Sequence, residues 1–274
     1  MAVTISAEAL RARLGEAGLV LIDVRGIEAW REASLPGAIH LNVYDYFIPQ
    51  SDEAGIASLA AATEAAFESL NLFEAKTVVF FEEDTGMISP RGLWFHEFLG
   101  LEGGLILDGG IKAWRAACFA VEPGKGPAAI IVPAEEGAVP SRPFRRELIA
   151  SIDETSQSTM LLDVRRRSEF TGEFVHPCCA RAGRIPGCSH IFWEDLVEGG
   201  AYRAPAEVAA LALKAGLRKD QPIVTYCHRG ARAATALYAL RQAGFEDVRV
   251  FVGSWHEWAG RQDLPAALGE GDAH

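Results

Sequence analysis

The sequence predicts an α/β protein of two tandem domains, each a mostly parallel sheet flanked by helices. Three observations predict it. Four landmarks recur in the same order in the two halves, strand-length apolar runs alternate with helix-length ones, and a Pro/Gly-rich stretch separates the copies. LVLIDV (19–24) matches MLLDV (160–164), each followed by an arginine (Arg25, Arg165), so Asp23 and Asp163 stand 140 residues apart. Pro36-Gly37 recurs as Pro186-Gly187 after 150 residues, TVVFFE ending at Glu82 as PIVTYC ending at Cys227 after 145, and GGIKAW ending at Trp114 as SWHEW ending at Trp258 after 144. A duplication explains offsets that drift so little. The step from 140 to 150 places an insertion in the second copy, within FTGEFVHPCCARAG (170–183).

Taken in order, LVLIDV matches the strand MLLDV of the second half, TVVFFE is strand-like, and each copy alternates strand and helix. The stretch 124–144, with four prolines and three glycines, has no lasting apolar period and reads as a linker, extended where AIIV (129–132) pairs or packs. The domains are then 1–124 and 145–274, joined by 125–144. In the second half TMLLDV (159–164) is a short buried strand and PAEVAALALKAG (205–216) a helix ending at Gly216. PIVTY (222–226) is a strand, ARAATALYALRQAG (231–244) a helix stopped by Gly244, and VRVFV (248–252) a strand. Ligands of such folds bind at the carboxyl ends of the strands. Cys227 stands at one.

Composition narrows the partners. The 274 residues are 49% apolar, ample for a sizeable core, and the net charge is −11. An acidic chain is a poor match for nucleic acid or an anionic membrane, so neither is expected as a partner. Any anionic substrate must be drawn by a local basic patch. No apolar stretch reaches bilayer-spanning length, and MAVTISAEALRARLGEAG lacks the pattern of a secretory leader. Five cysteines at irregular spacing (Cys118, Cys178, Cys179, Cys188, Cys227) fit no disulfide framework, which points to a reducing cytoplasm.

The chemistry concentrates in YCHRGARA (226–233). With a helix starting near Ala231, the amides of residues 228–232 are the unpaired donors of its first turn, and curled around the sulfur they favour an anion there. Arg229 and Arg232 supply positive charge, His228 is a further source of it, and Gly230 permits the tight backbone. The expectation is a reactive Cys227 thiolate that prefers anionic partners. The competing reading, a small buried core thiol, sits poorly with the polar, cationic flanks HRGAR.

These residues resemble the tandem-domain rhodaneses, the thiosulfate and mercaptopyruvate sulfurtransferases. The resemblance covers nearly the whole chain: the DVR turns of both halves, Pro36-Gly37-Ala38 and Pro186-Gly187-Cys188, the CHRGAR loop and the closing GSWHEW (253–258). It implies two rhodanese-like domains, the second catalytic through Cys227 and the first inactive, with Glu82 at the aligned position. Three departures stand out: Ser34-Leu35 and Arg184-Ile185 precede the PG turns where the family has His-Ile or His-Leu, and Val252 precedes GSW. The third is Glu169, four residues after the DVR arginine, where some thiosulfate enzymes carry an arginine. Cys227 to Arg232 is Cys-x4-Arg, one residue shorter than the Cys-x5-Arg loop of rhodanese-like phosphatases, a ring sized for one terminal sulfur.

The expected reaction is sulfur transfer from thiosulfate to a thiophilic acceptor (cyanide, a thiol or a carrier protein) through a Cys227 persulfide, without cofactor or metal. Two guanidiniums suit a dianion, so thiosulfate is favoured over 3-mercaptopyruvate; a persulfide carrier fed by another protein is the other alternative. Cys227 is the nucleophile, and His228, Arg229, Gly230, Ala231 and Arg232 bind the donor. Asp163 and Arg165 either line the site or form a buried ion pair that holds the turn. Trp255 and Trp258 pack the last helix. The cluster His176, Cys178, Cys179, Cys188 and His190 has neither CxxC nor HxxxH spacing, so no metal is expected. It reads as a loop near the site, with Cys178 or Cys179 either resolving the persulfide or standing by.

Overall fold

A computed structural model describes residues 3–270. These residues contain twelve strands: β1 (Thr4–Ile5), β2 (Leu19–Asp23), β3 (Ile39–Asn42), β4 (Thr77–Phe81), β5 (Gly104–Leu107), β6 (Ala128–Ile130), β7 (Leu161–Asp163), β8 (Ser189–His190), β9 (Val197–Glu198), β10 (Ala201–Tyr202), β11 (Ile223–Tyr226) and β12 (Val248–Val250). Interleaved are α1 (Ala7–Arg13), α2 (Ile27–Glu32), α3 (Glu53–Ser69), α4 (Ser89–Phe98), α5 (Gly110–Ala116), α6 (Ile152–Gln157), α7 (Arg167–Thr171), α8 (Pro205–Lys214), α9 (Ala231–Gln242) and α10 (Ser254–Gly260).

The chain divides into two compact units that are not contiguous in sequence. Unit 1 holds Met1–Tyr46, Ala57–Arg145 and Val197–Tyr202; unit 2 holds Phe47–Ile56, Arg146–Leu196 and Arg203–His274. Unit 1 is built on a six-stranded sheet in the order β1-β5-β4-β2-β3-β6, parallel throughout. Val78, Val79, Phe80 and Phe81 of β4 are all fully buried, as the strand's unbroken apolar run requires. Such side chains stabilise the fold by roughly 1.5–3 kcal/mol each. The proline-rich stretch is not free chain: β6 pairs parallel with β3.

Unit 2 carries a four-stranded parallel sheet in the order β12-β11-β7-β8, and a single parallel bridge from Ile149 to Val250 extends it beyond β12. Bridge, β12, β11, β7 and β8 repeat the order β1, β5, β4, β2 and β3 of unit 1. The duplication read from the sequence is thus repeated in strand order. Helix α9 is buried along Ala233–Leu240, where alanines alternate with the larger Leu237, Tyr238 and Leu240. It follows β11 directly and so fixes what lies between them. No described helix is long and apolar enough to cross a membrane.

Candidate active site

Cys227 is the first residue beyond the carboxyl end of β11, and α9 begins four residues later. The reversal depends on Gly230, the N-cap of α9, at φ 89°. A Cβ there would be strained at that φ and would lie 2.9 Å from the Val252 carbonyl oxygen. The Gly230 N–H donates to Cys227 Sγ at 3.1 Å, so the start of the helix faces the sulfur. Cys227 itself is 1% exposed and Ala231 is buried beside it.

A second element grips the loop from behind. The Cys227 N–H donates to Ser254 Oγ at 3.1 Å, and the Trp255 and His256 N–H groups donate to the carbonyls of Cys227 and His228, both at 3.0 Å. Ser254 holds this place at φ 53°, unusual for a residue with a side chain, while its hydroxyl donates to the Phe251 carbonyl at 2.8 Å. Trp255 and Trp258 are both buried, in the packing role expected of them.

The charged residues are distributed less simply than expected. Glu169, on α7, accepts from both terminal nitrogens of Arg232, at 2.7 and 3.1 Å. Burial pushes the Glu169 carboxyl up, but the Arg232 guanidinium, together with Arg165 and the Arg166 N–H, holds the group below the usual carboxylate range. Burial likewise opposes the Arg232 charge, which Glu169 first and then Cys227 keep firmly protonated. Arg229 lies over the Phe47 ring at 5.3 Å and donates to Cys178 Sγ at 3.2 Å. His228 corrects an expectation: it adds no positive charge. Burial, with His176, Arg229 and Arg232 alongside, pushes its imidazole down to about 3.

Asp163 and Arg165 form an ion pair at 2.6 Å whose side chains are 0% and 2% exposed. Arg165 also donates to the Gly183 carbonyl at 2.8 Å and lies over the Trp255 ring at 4.9 Å. The same construction recurs in the half that has no cysteine at this loop. Asp23 and Arg25 pair at 2.7 Å, Arg25 donates to the Ala33 carbonyl at 2.6 Å, and His40 and His190 donate to the carbonyls of Arg25 and Arg165 at 2.7 and 2.8 Å. A device present in both halves braces the turn. Of the two roles weighed for Asp163 and Arg165, the geometry matches the buried pair.

Glu82 fills the equivalent loop of unit 1. Its Oε1 accepts from the N–H groups of Gly86, Ile88 and Ser89 at 3.2, 2.9 and 2.8 Å, and from the Ser89 hydroxyl at 2.9 Å. The carboxylate occupies the donors at the start of α4 that an external anion would need. Burial nonetheless raises its pKa.

The inserted loop reaches the site. Cys178 Sγ lies 3.1 Å from His176 Nδ1 and 3.2 Å from His228 Nε2. Among the described residues these three donors, all within 4.8 Å of one another, are the set that could hold a metal ion. Cys179 and Cys188 differ: burial first, then Cys178 and Asp163 respectively, push their thiols up to about 11 and about 12. All five cysteines are free thiols. Glu169, Ser254, His256, Phe47, His176 and Cys178 were not singled out by sequence reasoning for the contacts they make. Glu169 carried a signal in its place four residues after the DVR arginine, and His176 and Cys178 carried one in the Cys/His cluster expected near the site.

The chain matches the family model described as Rhodanese-like domain over residues 6–117 and again over 145–261. It is 30% identical over 206 residues to the 3-mercaptopyruvate sulfurtransferase of Escherichia coli strain K12, covering 73% of this chain and 71% of that protein. To the thiosulfate sulfurtransferase of Corynebacterium glutamicum it is 31% identical, covering 97% and 90%. The crystal structure of a probable thiosulfate sulfurtransferase superposes with a TM-score of 0.71 at 30% identity, covering 93% of this chain and 99% of that one.

Proposed function

Because this chain belongs to the rhodanese family, we propose that it is a sulfurtransferase that carries sulfane sulfur on Cys227, with thiosulfate as donor and cyanide, a thiol or a carrier protein as acceptor. In this reading residues 145–274 are the catalytic half, 1–124 an inactive half, and 125–144 the linker between them. The observation that carries it is the loop itself: a thiol at a strand's carboxyl end, a helix-start N–H on its sulfur at 3.1 Å, and two arginines within five residues.

The Cys227 thiolate attacks the outer sulfur of thiosulfate, the S–S bond of the donor breaks, and sulfite leaves with the electron pair. The product is a Cys227 persulfide anion. The acceptor then attacks the terminal sulfur, and the thiolate returns. Gly230 and its neighbours hold the sulfur, and Arg229 and Arg232 orient the donor and meet the charge on departing sulfite. Asp163 and Arg165 act behind the loop, as positioning residues.

One observation favours a second reading, 3-mercaptopyruvate as donor. The Glu169 carboxylate on Arg232 leaves the loop one net positive charge nearer to neutrality, a better match to a monoanion than to a dianion. In that case the thiolate takes sulfur from the C–S bond and the carbon keeps the electron pair, which a proton converts to pyruvate.

Intact mass after exposure to each donor tests the core of the proposal. The expected result is a gain of one sulfur atom, reversed by cyanide and absent in Cys227→Ser. A wild-type protein that gains no sulfur from either donor would refute it.

A further inference from the structure

We propose that His176, Cys178 and His228 form a three-ligand site for a zinc-type divalent cation beside the nucleophile loop, and that its occupancy arrests sulfur transfer. The first two ligands stand two residues apart in the inserted loop; the third follows Cys227 in the chain, and the fold brings it to them. Sequence spacing could not show this set, because its members come from two stretches 50 residues apart.

The distances suit the cation. Zinc–sulfur bonds of about 2.3 Å and zinc–nitrogen bonds of about 2.0–2.1 Å at tetrahedral angles imply a sulfur-to-nitrogen separation of roughly 3.6 Å. Cys178 Sγ stands 3.1 Å from His176 Nδ1 and 3.2 Å from His228 Nε2, so spreading by a few tenths of an ångström admits the ion. The two imidazole rings lie 4.3 Å apart between centroids. One thiolate and two imidazoles form a borderline-soft set that selects zinc over magnesium or calcium. Three protein ligands leave a fourth position open.

The surroundings make the site exchangeable rather than structural. His176 and Cys178 are exposed, and Arg229 donates to Cys178 Sγ at 3.2 Å. That guanidinium repels an incoming cation, which weakens binding. Inhibition follows from what the ion takes. It fixes His228, the neighbour of the nucleophile, and draws Cys178 away from Arg229, which orients the donor. It also places a thiophilic centre with an open position beside Cys227.

The inhibitory half rests on the sulfurtransferase reading above, so binding is measured separately, in full-length Cys227→Ser. Co2+ serves as the optical probe and Zn2+ as its competitor. The expected result is one equivalent of Co2+ with a thiolate-to-metal charge-transfer band and tetrahedral ligand-field bands, displaced by Zn2+. Cys178→Ser on that background should abolish the charge-transfer band. His176→Ala should weaken binding by at least about 100-fold, the upper end of the cost of losing an outer-shell partner alone. Cys179→Ser should change neither. In the protein with Cys227 intact, one equivalent of Zn2+ should lower turnover at least about tenfold, and Cys178→Ser should remove that sensitivity. Absence of the band, or a band that survives Cys178→Ser, overturns the site. Stoichiometric zinc binding with undiminished turnover overturns the inhibition.

Discussion

Replacing Glu169 by glutamine should shift donor preference toward thiosulfate. The Arg232 and Glu169 side chains are only 15% and 9% exposed, so their charges largely cancel within the site. The substituted amide would keep an acceptor for one Arg232 N–H but remove the negative charge. A freed unit charge about 6 Å from the donor, at an effective dielectric of about 20, attracts each unit of donor charge by about 3 kcal/mol. Halved for water entering the site, this leaves about 1.4 kcal/mol in favour of the dianion over the monoanion, or about tenfold in the ratio of kcat/KM values.

The assay is steady-state kcat/KM for thiosulfate and for 3-mercaptopyruvate with cyanide as acceptor, wild type beside Glu169→Gln. Absolute rates will fall for both donors if Arg232 loses its anchor, so the ratio is the readout. A weakened pair should also cost about 1–3 kcal/mol of unfolding free energy, measured by denaturant titration. The sign with pH is fixed by the depressed Glu169 carboxyl. Its contribution is fully present above the unfolded-state value near 4.3 and is lost as pH falls through the folded value, so the two proteins should converge in acid. A ratio that stays constant, or moves toward 3-mercaptopyruvate, would refute the charge argument.

Gly230→Ala should lose at least about 1–2 kcal/mol of stability from the positive φ alone. Because its Cβ would press on the Val252 carbonyl at 2.9 Å, it should also cut turnover by about 100-fold through displacement of the loop; near-normal cyanolysis would count against the loop geometry. In unit 1, Glu82→Ala should cost about 1–3 kcal/mol by stranding the donors that Oε1 satisfies, whereas Glu82→Gln should change stability much less near neutral pH. Burial raises the Glu82 pKa, so its stabilisation is greatest when protonated and is lost as pH rises through the folded value. Denaturant titrations from acid to neutral pH should therefore show the wild type losing ground to Glu82→Gln, and parallel curves would contradict the assignment.

The parts of the fold that depend on local pattern were legible in the sequence. Strand β11, helix α9 and the loop between them follow from an apolar β-branched run, a glycine able to adopt positive φ and an alanine-rich helix. The parallel sheets follow from strand–helix alternation, and the DVR turns from the repeat. What stayed hidden depends on contacts between distant stretches. Nothing local to Glu169 says that Arg232, 63 residues later, will take both its oxygens. Nor does Ser254 announce that its hydroxyl will hold the Cys227 N–H. In the sequence His228 stands as a further source of positive charge, since histidine beside arginine in a polar loop is ordinarily solvated. Burial reversed that, and burial is a property of the folded chain. The exchange of Phe47–Ile56 and Val197–Tyr202 between the units is likewise invisible to periodicity, since each segment looks like part of the half that encodes it.

The two halves together show how one fold places a thiol and a carboxylate at the same position. Each has a β-strand followed by an anion-forming side chain and a helix that starts shortly beyond it. In each, an Asp–Arg pair braces the neighbouring turn and a histidine donates to the arginine's carbonyl. The inward-facing amides of such a loop are costly to leave unpaired, so the loop has to be occupied. Glu82 occupies it permanently, with an oxygen that accepts four hydrogen bonds. The Cys227 side chain ends at Sγ, short of the ε position that a glutamate's oxygens reach, and its sulfur meets the Gly230 N–H at 3.1 Å. A second sulfur would extend the side chain toward that ε position. On this argument the persulfide is the form that completes the loop's hydrogen bonding, as the carboxylate does in unit 1. Sulfur-loaded protein should therefore be more stable to denaturant than the free thiol, and that gain should be missing in Cys227→Ser exposed to the same donor.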